Sequence, residues 1–293
     1  IARRLWGSLN RPATLTERKY GKGRIYWGGP FSRSENDLYP DYEATAELLA
    51  DMGVQEDFTA TGPVRYTHRR TKDHDIYFVA NKSPHVIEAD CTFRDGSDQP
   101  ELWIPVTGEI RSLTQYSYYE NGRTTIPICF EPYESFFVVF SHKKVEQDRN
   151  VSQKTNFPES KQIAALNGPW YISFDTEWGG PKNIVFNKLE DWTDRSERGI
   201  KYYSGIATYR KSFDLPDFHP SDGDIYLDLG AVHHIARVRL NGKYLGSVWT
   251  APWRVKITNA VRPQDNCLEI EVANLWTNRL LGDQQEPDAN VRT

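Results

Sequence analysis

From Ile225 to Ala273 the chain alternates. Ile225, Leu227 and Leu229 are set against Tyr226 and Asp228, Ala236, Val238 and Leu240 against Arg237 and Arg239, and Leu268, Ile270 and Val272 against Glu269 and Glu271. A period of two with one oily and one charged face is the pattern of half-buried strands. Between two of these runs stands Asn241-Gly242. Both residues tolerate positive φ, so the pair predicts a two-residue type I′ hairpin. Trp170, Ile172 and Phe174 alternate in the same way further upstream. Repeated amphipathic strands of this kind predict two sheets packed face to face, a sandwich or jelly roll.

The same logic extends upstream with changes of rhythm. Residues 58–142 hold Ile76, Phe78 and Ala80 against Tyr77 and Val79, then Ala89, Cys91 and Phe93 on one face, then "TTIPICFEPYESFFVVFSH". Short strands with turn signals predict a small antiparallel sandwich, with "FFVVF" apolar on both faces and hence covered on both sides. Residues 143–166 are polar and without sustained period, as expected of a linker. Residues 1–57 differ: "GRIYWGG" reads as a strand and "YPDYEATAELLADMG" as a helix. Pro40 suits its first turn, Asp41 and Glu43 its positive end, and Gly53 its left-handed stop. One strand and one helix cannot close a sheet on both faces, so this part is expected to be the tail of an upstream α/β domain. The expected fold class is mainly β: two antiparallel β-sandwich domains, at 58–142 and 167–293, the second a jelly roll, preceded by a partial α/β segment.

Composition narrows the function classes. A net charge of −4 gives no electrostatic footprint for nucleic acid. No apolar run approaches the ~20 residues of a membrane helix. The start "IARRLWGSLNRPAT" shows neither a signal-peptide h-region nor an initiator Met, as expected of a fragment or processed chain. Cys91, Cys129 and Cys267 lack metal-ligand spacing. A Cys91–Cys129 pair is conceivable, but buried free thiols are the expectation. Nine tryptophans and sixteen tyrosines against a single Met fit β-structure and also carbohydrate-active proteins.

Catalytic signatures are sparse. Glycoside hydrolysis needs two carboxyl groups flanking the bond. Glu131 and Glu134, Asp175 and Glu177, Glu190 and Asp191, and Asp283 and Glu286 are such pairs in sequence, none marked out by its context. There is no nucleophile elbow, P-loop or dinucleotide fingerprint. His233-His234 reads as part of a strand, which would send the two rings to opposite faces and exclude a shared metal. The denser signal is a cluster. Trp249, Trp253 and Arg254 follow the hairpin, and Asn274, Trp276, Asn278 and Arg279 follow the last strand. Indoles stack on sugar faces, while amides and guanidinium groups reach hydroxyls. At strand ends of a rigid sandwich they would form a carbohydrate-binding rim. In the alternative reading the indoles plug the end of the sandwich and Arg279 ties the last loops.

"GPWYISFDTEWGGP", "DWTDRSERGIKYYSGIATYRKSFDLP", "IYLDLGAVHHIARVRLNGKYLGSVWTAPWRVKIT" and "LEIEVANLWTNRLLGDQ" resemble the C-terminal region of bacterial family-106, α-L-rhamnosidase-like glycoside hydrolases. Their last domain is also similar to the galactose-binding-like sugar-binding domain of family-2 glycosidases. "DIYFVAN", "ELWIPVTGEIRSL" and "FEPYESFFVVF" resemble the small β-domain before it. The resemblance implies a periplasmic or secreted enzyme whose catalytic carboxylates sit on an upstream α/β barrel, which this chain does not hold. The chain is therefore expected to be a non-catalytic C-terminal portion, with carbohydrate and the upstream barrel as partners. An autonomous carbohydrate-binding module and a pure scaffold are the competing readings. No cofactor is expected. The resemblance raises a structural calcium, but no oxygen-ligand loop of recognisable spacing supports one.

Overall fold

The computed structural model describes residues 14–31, 41–94, 99–142, 155–216 and 223–285. Mainly β structure is found, every paired strand running antiparallel. Among the described residues no helix is long and apolar enough to cross a membrane.

At the start, β1 (Thr16–Tyr20) and β2 (Gly23–Trp27) form a two-stranded hairpin. The strand read from "GRIYWGG" is therefore one arm of a hairpin whose other arm, "TERKY", is too polar to announce itself. Helix α1 (Tyr42–Asp51) follows. Asp41 is its N-cap, its carboxylate accepting the Ala44 N–H at 2.9 Å. Gly53 at φ +77° ends it, its N–H donating to the Ala50 carbonyl. Pro40 lies outside the described residues.

Two sheets then face each other. One has the order β3 (Phe58–Ala60), β6 (Ile87–Phe93), β10 (Thr124–Phe130), β9 (Ser117–Tyr118). The other has the order β4 (Val64–Arg70), β5 (His74–Asn81), β11 (Ser135–Ser141), β7 (Glu101–Trp103), β8 (Ile110–Ser112). Tyr77, Val79, Phe136, Val138 and Phe140 from one sheet meet Ala89, Cys91, Phe93, Ile126 and Ile128 from the other in a continuous core. Phe137, on the opposite face of β11, packs on Phe78 at 5.1 Å, so this strand is apolar on both sides as its sequence predicts. Asn156 and Phe157, in the stretch read as linker, are bound to this stack. Asn156 Oδ1 accepts the N–H groups of Thr114 and Gln115, and Phe157 lies against Phe136.

The second stack is built on a six-stranded sheet with the order β13 (Ile184–Phe186), β12 (Trp170–Phe174), β14 (Ile206–Phe213), β19 (Asn266–Ala273), β16 (Ile235–Leu240), β17 (Lys243–Val248). Its inner face buries Trp170, Ile172, Ala207, Ala236, Val238, Leu240 and Leu268. Its outer face carries charge, with Arg210 on Glu269 and Arg237 on Glu271, both at 3.0 Å. A short pair, β15 (Tyr226–Asp228) and β18 (Arg254–Lys256), covers part of the core from the other side. Asn241 and Gly242 take φ of +53° and +78° between β16 and β17, as the hairpin requires. The register shifts once between Val238 and Arg239, where Gly246 at φ +125° absorbs an extra residue.

Two sequence expectations need correction, the strand at His233-His234 and the burial of Cys267, while the expected free thiols are found. His233 and His234 precede β16 in a bend rather than lying in a strand, and their rings stand 6.2 Å apart, both exposed. All three cysteines are free: Cys91 is opposite Ile126 and Cys129 opposite Glu88, so β-sheet register separates them. Cys267, on the outer face of β19, is exposed rather than buried, because the alternation there puts Leu268 inside.

Candidate functional site: the loop end of the second stack

Strand register collects several loops at one end of the six-stranded sheet. Phe174 pairs with Ala207, Ile206 with Ala273, Ala273 with Ile235, and Ala236 with Val248. The residues just beyond β12, β19 and β17 therefore emerge side by side. They include Trp178, Asn274 to Arg279, and Trp249.

The loops have a common scaffold. Asp175 caps a single 3-10 turn, Thr176–Trp178, by accepting the Glu177 N–H. Tyr203 is buried beneath it; its hydroxyl accepts the Asp175 N–H at 3.1 Å and donates to the Ile206 carbonyl at 3.0 Å. Asn274 accepts the Gly205 N–H at 2.9 Å and donates to the Tyr203 carbonyl at 2.8 Å. A short helix α2 (Arg198–Lys201) packs under the Gly179-Gly180 turn. A Cβ on Gly199 would stand 2.3 Å from the Gly179 carbonyl oxygen, so only glycine fits there. Trp192 closes the base, its indole N–H donating to the Tyr209 hydroxyl at 2.6 Å.

On this frame the expected site residues divide. Trp249 and Trp276 are strongly exposed, at 62% and 65%. Trp276 meets Trp178, itself 42% exposed, edge to face at 6.5 Å. Asn278 is half-buried on the first turn of α3 (Thr277–Gln285). Arg279 is buried, its backbone N–H on Ser204 Oγ and its Nη1 3.5 Å from the Trp178 carbonyl, the loop-tying role of the alternative reading. Asn274 is likewise spent on backbone. Trp253 packs against the core.

Arg254 points elsewhere. Its Nε donates to Asp228 at 2.9 Å and its Nη1 to Glu131 of the first stack at 2.8 Å. Burial works against its charge, but these bonds outweigh it and hold the guanidinium above its ordinary value. Sequence reasoning missed Trp178: it lies in "FDTEWGGP", and only the register of β12 against β14 brings it to Trp276.

The carboxylate pairs also separate. Asp175 is a cap, Glu190 is bound by Arg195 at 2.6 Å, and Asp191 caps the turn at Thr193. Asp283 stands on α3, and its partner in sequence, Glu286, lies outside the described residues. Glu134 is distinguished. Burial pushes it up to about 7, against the pull of its hydrogen bond from the Glu131 N–H; the Glu131 charge adds to the rise, and Arg254 and Arg111 oppose it. Among the described residues no group of three or more His, Cys, Asp or Glu is placed to hold a metal ion.

Two family models match parts of this mainly β chain. Residues 1–118 match the α-L-rhamnosidase family model, and residues 188–292 match the galactose-binding-like domain of family-2 glycosyl hydrolases. The chain is thus glycoside-hydrolase-like, and the resemblance read from its motifs holds. In particular, it is similar to a rhamnosidase from Novosphingobium sp. PP1Y, with 33% identity over 99% of this chain and 26% of that one, at a TM-score of 0.73. It is also 39% identical, over 143 residues, to a putative beta-glucuronidase of Formosa agariphila, 47% of this chain and 12% of that protein. The chain therefore spans about a quarter and about an eighth of these relatives.

Proposed function

We propose that this chain is a non-catalytic C-terminal portion of a secreted or periplasmic glycoside hydrolase, framing carbohydrate beside a catalytic barrel supplied upstream in the same polypeptide. The observation that carries this reading is the likeness along 99% of the chain to one quarter of a rhamnosidase. In this reading residues 1–57 end the upstream domain, 58–142 form the small sandwich, 143–166 link, and 167–293 form the galactose-binding-like jelly roll. The sugar-contacting groups are the exposed indoles Trp249 and Trp276, with Trp178 against Trp276, and the half-buried Asn278 as a polar group on α3. Asn274 and Arg279 hold the loops beneath, Trp253 seals the core, and Arg254 sets the junction between stacks. Exposed aromatic faces at the ends of rigid strands favour stacking on an apolar sugar face.

The purified chain should not hydrolyse an aryl α-L-rhamnoside, whereas the longer enzyme containing it should. Turnover by the chain alone, abolished by Glu134→Gln, would overturn the non-catalytic reading.

A further inference from the structure

The loop end of the second stack spends most of its polar groups on itself. Asn274 and Arg279 bond to the loops beneath them, and Asp175 and Tyr203 hold the 3-10 turn and its base. His233 and His234 are different. Both are exposed, their rings stand 6.2 Å apart, and among the described residues neither imidazole makes a hydrogen bond. Only the His234 backbone is engaged, its N–H donating to the Ala273 carbonyl at 3.0 Å. In the first stack, by contrast, His68 and His142 each have both ring nitrogens bonded. The Asp191 carboxylate is held low first by its bonds to Thr193; the His233 ring adds to this, which brings the Asp191–Thr193 turn to the border of the pair.

Sheet order sets the two histidines between the exposed indoles. β16 runs between β19 and β17, with Ile235 opposite Ala273 and Ala236 opposite Val248. His234 immediately precedes β16, Trp249 immediately follows β17, and Trp276 lies just beyond β19. Neighbouring strands stand about 4.8 Å apart, so β17 and β19 are about 10 Å apart across β16. Trp276 leans further from Trp249, toward Trp178, which reaches it from the turn after β12. The indoles are therefore too far apart to share one pyranose ring, and the strand end between them is the one that carries His233 and His234.

We infer that His233 and His234 are sugar-binding residues, a polar bridge between two stacking subsites, and that the ligand is an oligosaccharide of at least two residues rather than a free monosaccharide. The inference rests on the carbohydrate reading of this loop end. A neutral imidazole offers one donor and one acceptor, the complement of a sugar hydroxyl. Ring nitrogens that no protein group occupies exchange only water for ligand, so no internal bond is lost when the sugar arrives. The indole at each end supplies the apolar face for the flanking residues of the ligand.

The test uses the whole chain at about pH 8, above the usual histidine range. L-rhamnose and a rhamnose-containing tetrasaccharide are titrated calorimetrically into wild type, His233→Ala, His234→Ala, the matching glutamine variants and Trp249→Ala. The ring-proton NMR signals of the seven histidines are followed in wild type during the same titrations. The tetrasaccharide should bind at least about 10-fold more tightly than L-rhamnose, the gain from engaging the second subsite. Each alanine variant should weaken tetrasaccharide binding by about 3- to 10-fold, and glutamine, which keeps a donor and an acceptor, should restore part of it. Two histidine signals of wild type, those missing from the variants, should move as the tetrasaccharide is added; the glutamine variants assign them if an alanine variant fails to fold. Lost binding in Trp249→Ala, with wild-type affinity in both histidine variants and neither signal moving, would overturn the inference and leave the carbohydrate reading standing. Equal affinity for L-rhamnose and the tetrasaccharide would overturn the two subsites. No binding of either sugar by wild type would overturn the inference and the carbohydrate reading together.

Discussion

Asp75→Asn is expected to be among the most damaging isosteric changes in the small sandwich. Asp75 is fully buried on β5, and both of its oxygens are engaged. Oδ1 receives His68 Nε2 at 2.8 Å, Oδ2 receives His142 Nε2 at 2.6 Å, and Arg70 lies at 3.5 Å. His68 continues the chain to Asp57 at 3.0 Å and stacks on Tyr77 at 4.0 Å, so the ring cannot turn away. Removing one partner of a buried ion pair typically costs about 3–5 kcal/mol, because the other is left buried and uncompensated. An amide keeps the shape and one acceptor, which places the expected loss near the lower bound, about 3 kcal/mol. For a cooperative unit below 100 residues ~1 kcal/mol moves Tm by about 4–8 °C, so the fall should exceed ~10 °C. The assay is urea and thermal unfolding at about pH 6, with the loss read from the midpoint at constant slope. A second signature separates charge from packing. The hydrogen bond that His142 donates to Asp75, followed by the one it donates to the Lys72 carbonyl, raises it above its ordinary value of 6.5. A raised histidine contributes stability that is fully present below 6.5 and is lost as pH rises through the folded value. Wild type should therefore lose stability on going from about pH 6 to about pH 8, and Asp75→Asn should flatten that slope. A loss under ~1 kcal/mol with the pH slope intact would refute the network as a stabilising element.

Three further outcomes are expected. Gly199→Ala should destabilise the second stack by about 2–3 kcal/mol by equilibrium unfolding, since its Cβ would meet the Gly179 carbonyl at 2.3 Å and backbone cannot rotate away. Tyr203→Phe should cost about 1–3 kcal/mol by the same measurement, because the Asp175 N–H loses its acceptor beneath the loop end. In the native protein, mass spectrometry after a thiol-alkylating reagent at about pH 8 should find Cys267 modified and Cys91 spared, as Cys267 is exposed while burial drives the Cys91 thiol up to about 12.

The sequence made the strands legible where one face is charged, because alternation is then unmistakable: β16, β17 and β19 fall where Ala236 to Leu240, the Asn241-Gly242 turn and Leu268 to Val272 put them. It failed where local pattern is weak. Thr16 to Tyr20 is polar and becomes a strand only by pairing with β2. His233-His234 borrows the look of the strand that follows it. The candidate site was harder still. Seven residues near two strand ends form a plausible cluster by chemistry alone, yet their roles depend on neighbours far away in sequence. Asn274 and Arg279 are absorbed by Tyr203, Ser204 and Gly205, about seventy residues upstream. Arg254 answers to Glu131 across 123 residues. Trp178 joins Trp276 only through sheet order. Nothing in a linear reading records these pairings, because non-local contacts are set by topology rather than by spacing.

The claim that this chain frames carbohydrate is tested most directly by calorimetric titration with L-rhamnose and a rhamnose-containing oligosaccharide, beside Trp249→Ala and Trp276→Ala. Both indoles are exposed and outside the core, so the variants should fold as wild type does. The account predicts heat of binding from the oligosaccharide that is lost in both folded variants. Equal binding by wild type and variants, or none by any of them, would contradict it.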